Sequence, residues 1–294
     1  MSAVTWRSRH LLGLVCLLGW GCSLRRPDVS PPDPLPLPLM APGAVVMEIA
    51  FVTIDPSAED LAGQVWQQAD EQILPHATRR QLVAHGLRCG LVGARPPEAL
   101  QELYQRSRQL IDIPAGSAVV PFEDLVRRQR RMQMRHGQRR EIMMPGERRP
   151  ELQLEIHNGA DSTPLRFEQA RCLLSIRSFL EPDGAVRLEL TPEIQHGTER
   201  ARWRGDHIQG RWRWLSERDR QVFRDLTMQT SLAPGQTLLV SCQGQGEQLG
   251  HHFFTQDLID ATKRQLLLIR LAQTQLDGVF RERQLVEPPV SRPE

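Results

Sequence analysis

LRFEQARCLLSIRSFLEPDGAVRLELTPEI, residues 165–194, holds two long alternating runs on either side of Pro182-Asp183-Gly184. Proline and aspartate favour the early positions of a tight turn, and glycine accepts the positive φ that closes it, so the chain is expected to reverse here. In a strand, Arg187, Glu189 and Thr191 share one face and Val186, Leu188 and Leu190 the other. That is the period of a half-buried antiparallel strand. Pro192 is expected to interrupt the second run, because proline has no N–H for a ladder. Further strand-like runs are LQLEIH (152–157), QTLLVSC (236–242) after the Pro234-Gly235 turn, and KRQLLLIRLAQTQL (263–276). Strands spaced by proline and glycine turns make residues 151–280 a mainly antiparallel β-domain.

RWRGDHIQGRWRW, Arg202 to Trp214, continues the pattern. Alternation puts Arg202 and Arg204 on one face of the first arm and Trp203 on the other. In the second arm Arg211 and Arg213 oppose Trp212 and Trp214. A nucleic-acid surface needs arginines and exposed aromatics on the same face. The stretch therefore reads as a hairpin with buried tryptophans, Trp203 across from Trp212, and a basic outside.

Residues 44–110 read as a small α/β module. AVVMEIAFVTI (44–54) is an apolar, β-branched run of strand length. Ser57-Ala-Glu-Asp60 offers a variant capping box for a helix with Leu61, Val65 and Trp66 turned inward. A second helix over 77–85 stops at Gly86, which suits the left-handed C′ position. LRCGLVG follows as a short strand, and Pro97 opens a helix with Leu100 and Leu103 on its inner face. The expected fold class is α+β, a small N-terminal α/β module followed by a mainly antiparallel β-domain.

Residues 111–150 form a basic transitional segment. Arg127, Arg128, Arg130, Arg131, Arg135, Arg139 and Arg140 surround His136-Gly137, which reads as a hairpin turn between strands alternating methionine with arginine. They are a candidate interaction surface for acidic head groups or a phosphate-rich polymer, or else a solvated face over a methionine-lined one. Of 37 basic residues only Lys263 is a lysine, so arginine clusters are less specific here than usual.

Arg7, Arg9 and His10 precede LLGLVCLLGW (11–20), an apolar run too short to cross a bilayer as a helix. Residues 1–21 read as an export signal. The GWGCS that ends it resembles the lipobox of bacterial lipoproteins, which implies that Cys22 is lipidated and becomes the mature N-terminus. An ordinary cleaved signal or an uncleaved anchor is the alternative. Residues 23–44 contain seven prolines, so 22–43 reads as a lipid-anchored, proline-rich linker with polyproline II character, and 281–294 as a disordered tail. Ser23 resembles the outer-membrane sorting signal of some such proteins, which implies the periplasmic face of that membrane.

The 294 residues carry a formal charge of +2, and without 1–21 they carry 35 basic and 35 acidic residues. A neutral total argues against bulk recruitment to nucleic acid. At 40% hydrophobic and 24% charged, the composition is that of a globular protein rather than a disordered or membrane-spanning one. Cys89, Cys172 and Cys242 lack metal-type spacing and read as small buried hydrophobes.

Residues 165–274 are similar to the core β-domain of bacterial secretins, the ring-forming outer-membrane channels. The resemblance rests on VRLELTPEI (186–194), LAPGQTLLVSC (232–242), LGHHFF (249–254) and the terminal leucine/isoleucine-rich strand. It implies a secretin-like β-domain without the pore, working in assembly with other envelope proteins or with itself.

No catalytic constellation stands out. Gly244-Gln-Gly246-Glu-Gln-Leu-Gly250 has the wrong spacing for a dinucleotide loop, and no helix is expected after it. His251-His252 would point to opposite faces of a strand and so not share a metal. Glu189 and Glu193 would need a facing partner to act as acid and base. No metal site and no cofactor are expected. The expectation is a non-enzymatic envelope lipoprotein acting in protein–protein assembly at the membrane surface. The alternatives are an exported hydrolase of polysaccharide or peptidoglycan and nucleic-acid binding through the arginine-rich segments.

Overall fold

The turn at 181–185 forms as its chemistry requires. Gly184 takes φ +84°, its N–H donates to the Glu181 carbonyl at 3.0 Å, and Asp183 Oδ1 accepts from the Ala185 N–H at 2.9 Å. In the computed structural model this turn joins β6 (Asp161–Leu180) to β7 (Val186–Asp206), paired from Leu180↔Val186 to Arg171↔Gln195. Val186, Leu188 and Leu190 are buried, while Arg187, Glu189 and Thr191 are half-buried on the opposite face. The structure describes residues 43–109, 129–158, 161–206, 211–243, 248–257 and 262–274. The expected export signal, Cys22, nearly all of the expected linker, Arg127, Arg128 and the expected tail lie outside them.

Pro192 does not interrupt β7. It pairs with Leu174 on the β6 side, while its other side falls where β7 changes partner. There β9 (Met228–Leu232) ends at Leu190↔Met228, and β8 (Arg211–Val222) begins at Glu193↔Val222. The missing N–H costs no ladder bond at such a gap, and the Pro192 carbonyl still accepts from the Phe223 N–H at 3.0 Å.

Among the described residues the strands form two six-stranded antiparallel sheets. The first runs β2 (Leu87–Val92), β10 (Thr237–Cys242), β12 (Thr262–Thr274), β1 (Ala44–Ile54), β3 (Gln129–Arg135), with β11 (Thr255–Asp257) also on β12. The second runs β4 (Arg139–Met143), β6, β7, β8, with β5 (Arg149–Asn158) on β6 and β9 on β7. Their facing sides share one hydrophobic core: Met47, Ile49, Val240 and Ile269 meet Ile142, Ile176, Leu188 and Leu190. The other side of the first sheet carries Val52, Leu239 and Leu266 against Val65, Trp66, Leu100 and Leu103 of α1 (Glu59–Gln68) and α3 (Glu98–Gln109). The layers are helix, sheet, sheet, and the class is α+β as expected.

The 44–110 segment, however, does not close a sheet of its own. β1 pairs with β12 and β3, and β2 pairs with β10, so strands from both ends of the chain interleave in one compact unit that includes residues 40–294. The reason is visible in β1, which is buried on both faces except at Glu48. Such a strand belongs in the middle of a sheet covered on both sides. Nor do β3 and β4 form a hairpin. Gly137, at φ +70°, carries the chain from β3 in one sheet to β4 in the other, its N–H donating to the Ser178 carbonyl at 2.7 Å. The methionine/arginine alternation holds: Met132 and Met134 are buried, Arg131 and Arg135 exposed.

Two local expectations are corrected. The helix cap before α1 is Asp55, whose Oδ1 accepts from the Ser57 N–H at 2.8 Å to start a 3-10 turn over Pro56–Ala58; Ser57 does not cap α1. LGHHFF is a helix, α4 (Leu249–Phe254), which buries Leu249, Phe253 and Phe254 in the inter-sheet core. No helix among the described residues is long and apolar enough to cross a membrane.

α4 meets the end of α2 (His76–Ala84) at His85-Gly86. Gly86 takes the expected left-handed φ of +69°. The Gly250 N–H donates to the His85 carbonyl at 2.8 Å, and the Gln243 N–H to the Gly86 carbonyl at 2.9 Å. The buried His85 ring bridges from α2 to β5: Nδ1–H donates to the Gln81 carbonyl at 2.8 Å, and Nε2 accepts from the His157 N–H at 3.1 Å. This holds the ring neutral, and burial lowers its pKa; the neighbouring His157 adds to that, and the Gln81 bond and Asp225 oppose it. The unfolded imidazole takes a proton near pH 6.5 and the folded one resists it. Stability is therefore full above that pH and falls as the pH drops below it. Urea midpoints taken between about pH 7.5 and 5.5 should fall for the parent protein and fall less for His85→Gln. Equal slopes would remove His85 as the cause.

Candidate functional site

The outward face of the second sheet is polar, because the residues that alternate with its core positions come together there. Ser175 and Arg177 on β6 lie opposite Thr191 and Glu189 on β7, with Arg139 and Glu141 on β4 at one side and Arg220 on β8 at the other. They line a groove of about 680 Å³ with Glu217, Arg224 and Thr227.

Its centre is a four-membered ion-pair network. Arg139 reaches Glu193 at 2.7 Å and Glu141 at 2.8 Å, while Arg220 reaches Glu141 at 2.6 Å and Glu193 at 3.4 Å. Arg139 Nε also donates to Ser175 Oγ at 2.9 Å. Glu193 is 3% exposed, so its charge depends on these partners. Burial works against the Glu141 carboxylate, but the hydrogen bond and charge of Arg220, then those of Arg139, outweigh it and hold its pKa below the ordinary value. For Arg139, burial is opposed and outweighed by Glu193 and Glu141, and its pKa is raised. A carboxylate held this way is an acceptor rather than a proton donor. Glu189, the other member of the pair considered from the sequence, lies in register with Arg177 and Gln229 rather than with a second acid.

Of the arginines singled out from the sequence, Arg130, Arg131, Arg139 and Arg140 line one open hollow of about 520 Å³ between β3 and β4. Arg130 is half-buried and donates to the Glu141 carbonyl at 2.6 Å; burial, then the charge of Arg140, lowers its pKa. Arg139 belongs to the ion-pair network. Arg131, Arg135 and Arg140 are exposed. Arg127 and Arg128 lie outside the described residues; the other five divide between β3 and β4, which belong to different sheets.

Beyond Gln195, β7 is paired only with β8 among the described residues, so residues 200–206 and 211–217 form a two-stranded ribbon past the edge of the sandwich. A register shift between His196 and Arg200, with Gly197 at φ +72°, marks its base. The expected hairpin is there, but Trp203 pairs with Trp214 rather than Trp212, and Gly205 is opposite Trp212. Trp203 is not buried: it is 63% exposed, on a two-stranded ribbon over which no second layer lies among the described residues. The side chains of Arg202, Arg204, Arg211, Trp212, Arg213 and Trp214 lie outside the described set.

A third concavity, of about 540 Å³, lies among the β4–β5 loop, the middle of β6, and α4 with β11. Arg148, Arg149, Arg171 and His252 line it, and nothing in the sequence pointed to this grouping. The three cysteines are free, and burial pushes Cys89 and Cys172 up to about 12 and Cys242 up to about 11. Thiols so placed are packing groups, as expected, and not nucleophiles.

Fold and surface together define an α+β protein with a helix-covered two-sheet sandwich, a charge-networked outer face and a projecting ribbon. No family model, curated protein or solved structure matches the chain.

Proposed function

We propose that this is a non-enzymatic lipoprotein of the bacterial cell envelope, held to a membrane through Cys22 and a proline-rich linker, whose folded body works in protein–protein assembly. The observation that carries the assembly role is the β7–β8 ribbon, which presents Trp203 outside the sandwich. Exposed tryptophan is a costly surface residue and a common anchor of interfaces. The exposed Arg131, Arg135 and Arg140 would add charge complementarity to an acidic envelope protein or to a second copy. The likeness of residues 165–274 to the secretin β-domain points the same way, towards self-association or association with other envelope proteins. A neutral mature charge disfavours nucleic acid as the partner.

Two measurements test this. Cys22→Ala should move the protein from the membrane to the soluble fraction of cells; equal membrane retention would rule out the anchor. Native mass in detergent-solubilised envelopes should exceed that of one chain, and Trp203→Ser should lower it with an unchanged melting temperature. A lone monomer for the parent protein would rule out assembly.

A further inference from the structure

The cleft at the β4–β5 loop has the features of a built anion site. Four basic side chains reach it from three segments distant in sequence: the adjacent Arg148 and Arg149 from the loop and the start of β5, Arg171 from β6 and His252 from α4. All four are half-buried. Among the described residues of the lining Glu147 is the one carboxylate, so with a neutral imidazole those residues carry three positive charges and one negative. Neither Arg148 nor Arg149 forms an ion pair with a described carboxylate. That contrasts with the outer groove, where arginines and glutamates neutralise each other.

The backbone here is stiff and locally strained. Pro145 and Pro150 bracket the loop, and Gly146 sits at φ +113°, which favours glycine. Gln169 on β6 is the one non-glycine residue with positive φ among those described, at +51°. A residue held there costs of order 1 kcal/mol or more, and such strain tends to gather at binding sites. Its carbonyl accepts from Arg148 Nη1 at 2.8 Å, so the kink holds that arginine. Arg149 Nη1 donates to His252 Nδ1 at 2.6 Å, which makes His252 a positioning residue with its proton on Nε2. Arg218, at the base of the ribbon, is close enough to act on Arg148 by charge, with Glu199 opposing it.

We infer that this cleft binds a phosphate group, through the guanidinium forks of Arg149 and Arg171 with Arg148 and His252 completing the site. A phosphate monoester carries a charge of about −1.5 to −2 near neutral pH, opposite in sign to the net charge of the described lining residues. Guanidinium forks meet phosphate oxygens in pairs. The volume exceeds that of a bare phosphate, leaving room for a small attached group. The inference does not depend on the lipid anchor. The phosphate could come from a soluble monoester or from a lipid head group, and the two are separable by experiment.

The test uses the full chain, with phosphorus NMR line-broadening and thermal shift as readouts. The probes are inorganic phosphate, glycerol 3-phosphate, and dihexanoyl phosphatidylglycerol below its micelle concentration. Chloride at matched ionic strength and dihexanoyl phosphatidylcholine are the blanks. Saturable binding of inorganic phosphate or glycerol 3-phosphate assigns the soluble source; binding of the phosphatidylglycerol alone assigns the head group. Arg149→Gln with Arg171→Gln should weaken the bound probe by about tenfold or more. Arg80→Gln, exposed on α2, should leave it unchanged. If the double variant does not fold, Arg171→Gln alone carries the comparison, with a loss of about fivefold expected. No saturable binding of any probe by the parent protein, or a folded arginine variant that binds like it, overturns the inference.

Discussion

Gly250→Ala is expected to lower the free energy of unfolding by about 3 kcal/mol or more, beyond the usual range for adding one methyl group. A Cβ at this position would coincide with the carbonyl carbon and oxygen of Gly86 and lie 3.0 Å from the Leu87 nitrogen. These are backbone atoms, so no rotamer change relieves the clash. Moving them would break the bonds from Gly250 N–H to the His85 carbonyl and from Gln243 N–H to the Gly86 carbonyl. It would also shift Phe253 and Phe254 in the inter-sheet core. Gly63 is the internal comparison: it is exposed in α1 and nothing lies within 4 Å of its notional Cβ. Gly63→Ala should stabilise by roughly 0.5–1 kcal/mol through helix propensity alone. Denaturant midpoints of the two variants should move in opposite directions, and a Gly250→Ala protein as stable as its parent would show that α4 is not seated as described.

Arg139→Met should cost about 2–4 kcal/mol, although arginine is ordinarily a cheap residue to replace on a β-sheet face. The loss comes from Glu193, which keeps only the longer contact to Arg220 and remains 3% exposed. Adding Glu193→Gln to Arg139→Met should therefore recover part of the loss, a non-additivity that a double-mutant cycle reads directly. Strictly additive costs would mean the network contributes no coupling. The pH trend follows from Glu141, whose folded pKa lies below its unfolded value of about 4.5. Its contribution is complete above that pH and is lost as the pH falls through the folded value. Arg139→Met should weaken this acid dependence, because Arg139 is one of the charges that lower the Glu141 pKa.

Legibility differed between elements for physical reasons. The alternation in residues 165–194 foretold both which residues of β6 and β7 are buried and where the chain turns, because a period of two and a Pro-Asp-Gly turn are local properties. The same reasoning placed Met132 and Met134 inward but joined β3 to β4 as a hairpin, since alternation fixes a face and not a partner. Trp203 failed for a related reason. Alternation assigns it a face, but burial needs a second layer, and among the described residues β7 is paired only with β8 at that point. LGHHFF was misread because two adjacent histidines and two phenylalanines have no strand or helix period over six residues. Gly250 was the available signal, a glycine inside a short apolar run, but its reason lies in Gly86, more than 160 residues away.

Local pattern was thus enough for the α+β class, the Pro-Asp-Gly turn, the buried faces of β6 and β7 beside it and the inert character of Cys89, Cys172 and Cys242. Those features depend on side-chain periodicity, dihedral preference and spacing, all carried within a dozen residues. The interleaving of β1 and β2 with β10 and β12, the Arg139–Glu141–Arg220–Glu193 network and the Arg148–Arg149–Arg171–His252 cleft all required the folded chain. Each joins groups roughly 20 to more than 200 residues apart, and loop-closure entropy varies so slowly with such separations that no local feature selects one partner over another. Burial of both faces of β1 and the neutralisation of Glu193 make that selection, and both exist only once the two sheets have closed on each other.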